Sequence, residues 1–197
     1  IFLMTTADYP FERYIDFARA VRESVSAGMP LVANIGDFGP EEAKDLVEAG
    51  FQAVYHVVRL REGTDTRISS EERLQTIEAA RNAGLDLSYC VEPIGPEHLP
   101  EELVTEMFRG RQLGAVNLAC MWRVPVPELP LSSLGKISET TLAKTVAVTR
   151  IVAGDFIKAM GVHEPGMLPL FAGANQIYAQ TAGFSPRRRP GVEGTLQ

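Results

Sequence analysis

One phrase recurs four times along this chain: a helical stretch, a glycine, then a short apolar run. It is written "SVSAGMPLVANIG", "LVEAGFQAVYHVV", "ARNAGLDLSYCVE" and "GRQLGAVNLACMW". A glycine closing a helix takes the left-handed conformation that a side chain resists, and a β-rich run just after it reads as a strand. Helices and strands in this alternation are βα units. A series of them allows an open doubly wound sheet or a (β/α)8 barrel. The phosphate loop GxGxxG of nucleotide-binding sheets is absent from the sequence, which favours the barrel.

Seven strands are expected, at 1–6, 31–35, 53–58, 85–92, 115–121, 156–160 and 176–179. Helices fall between them at about 11–27, 40–49, 70–83, 100–112 and 138–152, with a shorter one at 166–172. Two starts are well marked. "GPEEA" places Pro40 and two acids in a first turn, and "SSEER" offers serine caps ahead of acids that suit the helix dipole. The sequence opens in the β-rich run "IFLMTT" with no initiator Met, so it reads as a barrel lacking its first βα unit. Residues 1–183 are expected to form that partial barrel, and the proline-rich, basic 184–197 an exposed tail.

The net charge of -6 argues against nucleic acid or an anionic membrane as partner, which leaves a small molecule. Nothing reads as a secretory leader or a membrane span, and the two cysteines form no CxxC metal motif, so a cytoplasmic location is expected.

In a βα barrel the loops after the strands form the active face, so polar residues near strand C-termini are the candidates. The three histidines, His56, His98 and His163, all fall there. Alternation sets Tyr55, Val57 and Arg59 on one side of their strand and His56 on the other, packed beneath a helix. His98 and His163 each stand beside a glutamate. Their spacing lacks the i, i+4 pattern of a zinc helix, so capping or substrate contact is expected, with no metal site. Glu92 lies in a strand covered on both faces, where a carboxylate needs a cation or donors; a ligand role and a structural ion pair both satisfy that. Arg73 by itself reads as a solvated charge on an amphipathic first turn. Cys90 and Cys120 fall at matching depths in their strands and read as small buried hydrophobes. Lys158 is the candidate for an inward lysine, which a Schiff-base enzyme would need.

The run "GFQAVYHVVRLREGTDTRISSEERLQTIEAARNAGLDLSYCVEPIGPEH", followed by "VNLACMWRVPVPELPL", "TVAVTRIVAGDFIKAMGVHEP" and "LPLFAGANQIYAQT", resembles the biotin-synthase-type radical S-adenosylmethionine (SAM) enzymes. The likeness is most specific at "ERLQTIEAARNAGL", "AVTRI" and "AGAN". It implies a (β/α)8 barrel. It also implies a [4Fe-4S] cluster on a three-cysteine loop after the first strand, and SAM cleaved to a 5′-deoxyadenosyl radical that abstracts hydrogen from a small substrate. An electron donor such as ferredoxin or flavodoxin would supply the reductant. The family includes biotin synthase, the maturase HydE, methylornithine synthase and the radical SAM protein of guanylylpyridinol cofactor assembly. This chain looks closest to the last, which implies cofactor biosynthesis.

By the same resemblance, Arg73 pairs with the SAM carboxylate, a role its planar donors suit. Pro93, Ile94 and Gly95 border adenine, Glu92 points toward cofactor or substrate, and Met4 and Thr5 lie near the methionine moiety. Asn117, Lys158 and His163 fall on the substrate side, Lys158 in the column of a cluster-binding arginine. The chain departs from biotin synthase in other places. Val57 and Arg59 stand where ribose-binding polar residues would be. Tyr89, one residue from Cys90, takes the column of a second-cluster cysteine, so sulfur insertion is not expected. The three cluster cysteines are not among these residues, and the chain alone is expected to be inactive. Two other readings of the residues remain open: a Schiff-base or metal-dependent barrel lyase or aldolase, and a non-catalytic nucleoside-binding barrel.

Overall fold

The computed structural model describes residues 1–5, 9–163 and 166–178. The expected tail at 184–197, and the outer residues Thr6 and Ala179 of two expected strands, lie outside the described residues. The described chain alternates strand and helix throughout. The order is β1 (Phe2–Met4), α1 (Phe11–Ser24), β2 (Val32–Asn34), α2 (Pro40–Glu48), β3 (Ala53–Tyr55), α3 (Ser70–Asn82), β4 (Asp86–Ile94) and α4 (Pro100–Gln112). It continues with β5 (Asn117–Trp122), α5 (Glu139–Ala153), β6 (Ala159–Val162), α6 (Met167–Phe171) and β7 (Gln176–Ile177). The seven strands follow chain order in one sheet. Pairing is parallel, with Phe2 opposite Val32, Val32 opposite Ala53, Ala53 opposite Asp86, Asn117 opposite Ala159, and Gly161 opposite Gln176.

The chain packs as two compact units. The first comprises Ile1–Cys90 with Gln112–Val116. Its core gathers Leu31, Leu46, Ile77, Leu87 and Tyr89, and Tyr14 stacks on Phe51 with ring centroids 5.5 Å apart. The second takes Val91–Arg111 and the chain from Asn117 onward. It buries Ile94, Met107, Leu118, Leu142, Ile157 and Met160.

The glycine reading holds at Gly50, Gly84 and Gly114, which follow α2, α3 and α4 with φ of 92°, 87° and 79°. It fails at Gly28, because α1 ends at Ser24 rather than near residue 27. The reason is local: Arg22 folds over the next turn, its guanidinium donating to the carbonyls of Met29 (2.7 Å) and Ser26. A larger correction concerns the sixth strand, expected at 156–160 and found at Ala159–Val162. Arg150 Nη1 donates to the carbonyls of Ile157 (3.1 Å) and Lys158 (3.4 Å), and Asn175 Nδ2 also donates to that of Lys158 (2.8 Å). Acceptors that a strand ladder would use are taken by side chains. β3 stops at Tyr55, and β4 runs on through Ile94 rather than ending at Glu92.

The start of α3 matches the sequence. Ser69 Oγ accepts from the Glu72 N–H (3.2 Å) while Glu72 Oε2 accepts from the Ser69 N–H (2.8 Å). Ser69→Ala is expected to cost about 1 kcal/mol of stability, measured by urea unfolding, as loss of a helix cap does.

Candidate functional site

In the first unit, α3 carries Arg73 to a polar cluster just beyond the C-terminal ends of β2 and β3. The Arg73 side chain is 10% exposed, so it is not the solvated charge that its helical position suggested. Its Nη1 donates to Asp37 Oδ2 (2.8 Å) and its Nε to Glu62 Oε2 (3.2 Å). Asp37 lies in the loop after β2, and its Oδ1 accepts from His56 Nε2 (3.0 Å) and Thr76 Oγ1 (3.3 Å). Glu62, whose side chain is fully buried, also accepts from the Arg59 N–H (3.0 Å) and from the Thr66 hydroxyl. His56 is buried as expected, and its role in this cluster is to hold Asp37.

Burial pushes the Asp37 carboxyl up, but the hydrogen bond and charge of His56, then the Arg73 guanidinium, outweigh it and hold the group down at about 2, against an ordinary 3.8. The folded value is the lower one. The stabilisation from Asp37 is therefore complete above about pH 4 and drains away as the pH falls through about 2. Asp37→Asn is expected to flatten that part of the acid-unfolding curve followed by circular dichroism.

In the second unit the end of β4 forms another cluster. Glu92 and Ile94 are buried, Pro93 is half-buried, and Gly95 follows at once. The Gly95 N–H donates to His98 Nδ1 (2.9 Å), which makes His98 the cap of this strand end. Glu97 pairs with Arg123, which follows β5, through both carboxylate oxygens, with Nη2 2.9 Å from Oε2. The Arg123 hydrogen bond is the main reason the Glu97 carboxyl sits below its ordinary value.

A third group in the same unit joins two of the three residues expected on the substrate side. Asn117 Nδ2 donates to the Tyr178 hydroxyl (2.6 Å), and the Tyr178 ring stacks on His163 with centroids 4.2 Å apart. A carboxylate oxygen of Glu92 and a ring nitrogen of His163 lie within 4.8 Å of each other. Lys158 stays outside this group. It is exposed and precedes β6, because the strand starts later than expected, so it is not an inward lysine at a strand C-terminus. Met4 is 55% exposed, and the Thr5 N–H donates to the Asn34 carbonyl (3.1 Å). Cys90 and Cys120 are fully buried thiols; Cys120 Sγ lies 3.3 Å from Thr149 Oγ1. Two cysteines buried within strands do not make the three-cysteine loop that holds a [4Fe-4S] cluster.

Sequence reasoning missed Asp37, Glu62, Glu97, Arg123 and Tyr178. Asp37 had a signal, since "NIGDFGPEE" places an acid between a strand and a helix start, on the face where barrel enzymes gather chemistry. Among the described residues no helix is long and apolar enough to cross a membrane.

No protein-family model matches the chain. It is 28% identical to biotin synthase from Pelotomaculum thermopropionicum over 95% of this chain and 60% of that protein. It is also 28% identical to biotin synthase from Desulforudis audaxviator over 72% of this chain and 44% of that one. The chain thus spans roughly half the length of these relatives. Among solved structures, methylornithine synthase (PylB) superposes with a TM-score of 0.76 at 16% identity, covering 99% of this chain and 63% of that one. The two kinds of likeness agree along most of the chain, in sequence to biotin synthases and in fold to PylB, and they support a biotin-synthase-like radical SAM protein.

Proposed function

We propose that the chain carries the SAM-holding residues of a radical SAM enzyme of cofactor biosynthesis that acts on a small molecule. Bound together with a reduced [4Fe-4S] cluster, SAM would supply a 5′-deoxyadenosyl radical able to take hydrogen from a substrate, with the electron from a donor such as ferredoxin or flavodoxin and Arg73 holding the SAM carboxylate. The observation that carries the reading is Arg73, a buried guanidinium beyond the ends of β2 and β3, in a chain whose sequence likeness is to biotin synthases.

Arg73 fits a carboxylate because its planar fork offers parallel donors. Glu62 accepts from its Nε. Asp37, one-third exposed, holds Nη1 in the place that a ligand carboxylate would take over. Pro93, Ile94 and Gly95 would border the adenosine, with Glu92 on the same strand, and Met4 and Thr5 would lie toward the methionine moiety. Asn117 and His163 would face the substrate, with Tyr178 setting the space between them.

The test uses the full-length protein, reconstituted anaerobically with iron and sulfide and assayed for 5′-deoxyadenosine release from SAM under reductant. Release that falls by about 100-fold or more in Arg73→Lys, which keeps the charge but not the fork, supports the reading. No release from the unaltered protein overturns it. A Schiff-base chemistry has no support at Lys158, which is exposed and precedes its strand.

A further inference from the structure

The end of β4 is held by a charged pair to which neither the sequence likeness nor the proposed chemistry gives a role. The Arg123 N–H donates to the Ile94 carbonyl (2.7 Å), and its guanidinium grips Glu97 with both terminal nitrogens, Nη2 also reaching the Gly135 carbonyl (3.3 Å). Gly95 lies directly under this pair. A Cβ there would come within 2.6 Å of Nη1 and of Nη2, and would collide with Glu97 Oε2 as well. His98 takes the Gly95 N–H from the other side (2.9 Å). The Ile94 carbonyl, the Gly95 amide and the Gly95 Cα are therefore each fixed by a named side chain or by the Arg123 backbone.

Such a clamp is a costly way to fill space. Arg123 is 8% exposed, and its Nε is buried with no hydrogen-bond partner among the described residues. A buried ion pair pays a desolvation penalty that an apolar residue of similar volume avoids. What the pair provides and an apolar residue would not is directional geometry at Gly95.

We propose that Arg123 is a positioning residue: through Glu97 laid across Gly95, it fixes the Ile94–Gly95 end of β4 in the conformation that receives a nucleoside. The inference rests on the reading above that this strand end borders adenosine. It goes beyond that reading by making the loop after β5 set the affinity.

The test measures 5′-deoxyadenosine binding to the full-length protein without cluster, by titration calorimetry. Arg123→Ala is expected to weaken binding about tenfold, with Arg123→Lys between it and the unaltered protein. Gly95→Ala, which must push the pair apart, is expected to match Arg123→Ala. The double variant Arg123→Ala with Glu97→Gln is expected to bind no more weakly than Arg123→Ala alone, because both changes remove one interaction. Thermal melts identify the variants folded at the assay temperature, and Arg123→Lys and Gly95→Ala serve if Arg123→Ala does not fold. Unchanged binding in these folded variants overturns the positioning role and leaves the cofactor reading standing. No binding by the unaltered protein overturns that reading and the role together.

Discussion

Arg73→Ala is expected to lower the free energy of unfolding by about 3–5 kcal/mol, the cost of removing one partner from a buried ion pair. The loss falls mainly on Glu62, whose side chain is fully buried; Asp37 is 31% exposed and recovers part of its solvation from water. Against a typical domain stability of about 5–15 kcal/mol this is a large fraction, and urea unfolding followed by circular dichroism will resolve it. Arg73→Ala combined with Glu62→Gln is expected to cost less than Arg73→Ala alone. The second change removes the stranded charge yet keeps an acceptor for the Arg59 N–H. A single-variant loss below about 1 kcal/mol would show that Arg73 does not hold this cluster together.

Gly161→Ala is expected to cost about 1–3 kcal/mol, as overpacking does. The new methyl would lie 2.7 Å from Tyr178 Cε2, 2.9 Å from its hydroxyl and 3.1 Å from Ala119 Cβ. Ala119 belongs to the neighbouring strand β5 and cannot retreat, so the tyrosine ring is the part that moves. Its displacement gives up the Asn117 hydrogen bond and the stack on His163. Adding Tyr178→Ala is expected to shrink the penalty of Gly161→Ala, read as the difference between thermal unfolding midpoints with and without the tyrosine. An undiminished penalty would place the clash elsewhere.

The βα alternation was legible because its signals are local. Gly50, Gly84 and Gly114 each close a helix in the left-handed region, and Ser69 with Glu72 caps α3, all within a turn of chain. The exceptions differ in kind: Arg22 ended α1 early through a contact within the next turn, whereas Arg150 and Asn175, the latter from 17 residues away, took the carbonyls that would have begun β6 sooner. The second exception moved Lys158 out of the candidate site.

The sequence by itself determined that helices and strands alternate, that Glu92 and the two cysteines are buried, and that the likeness runs to biotin synthases. Only the tertiary structure decided which charges meet. Arg73 finds Asp37 across 36 residues, Arg123 finds Glu97 across 26, and Tyr178 finds Asn117 across 61. The physical reason is one of range. Helix caps and turns are set by neighbours a few residues away, whereas these pairings depend on strand register and on how each helix returns to its sheet. A buried charge then pairs with whichever opposite charge that packing brings within reach, since burying it alone costs more than the fold can supply.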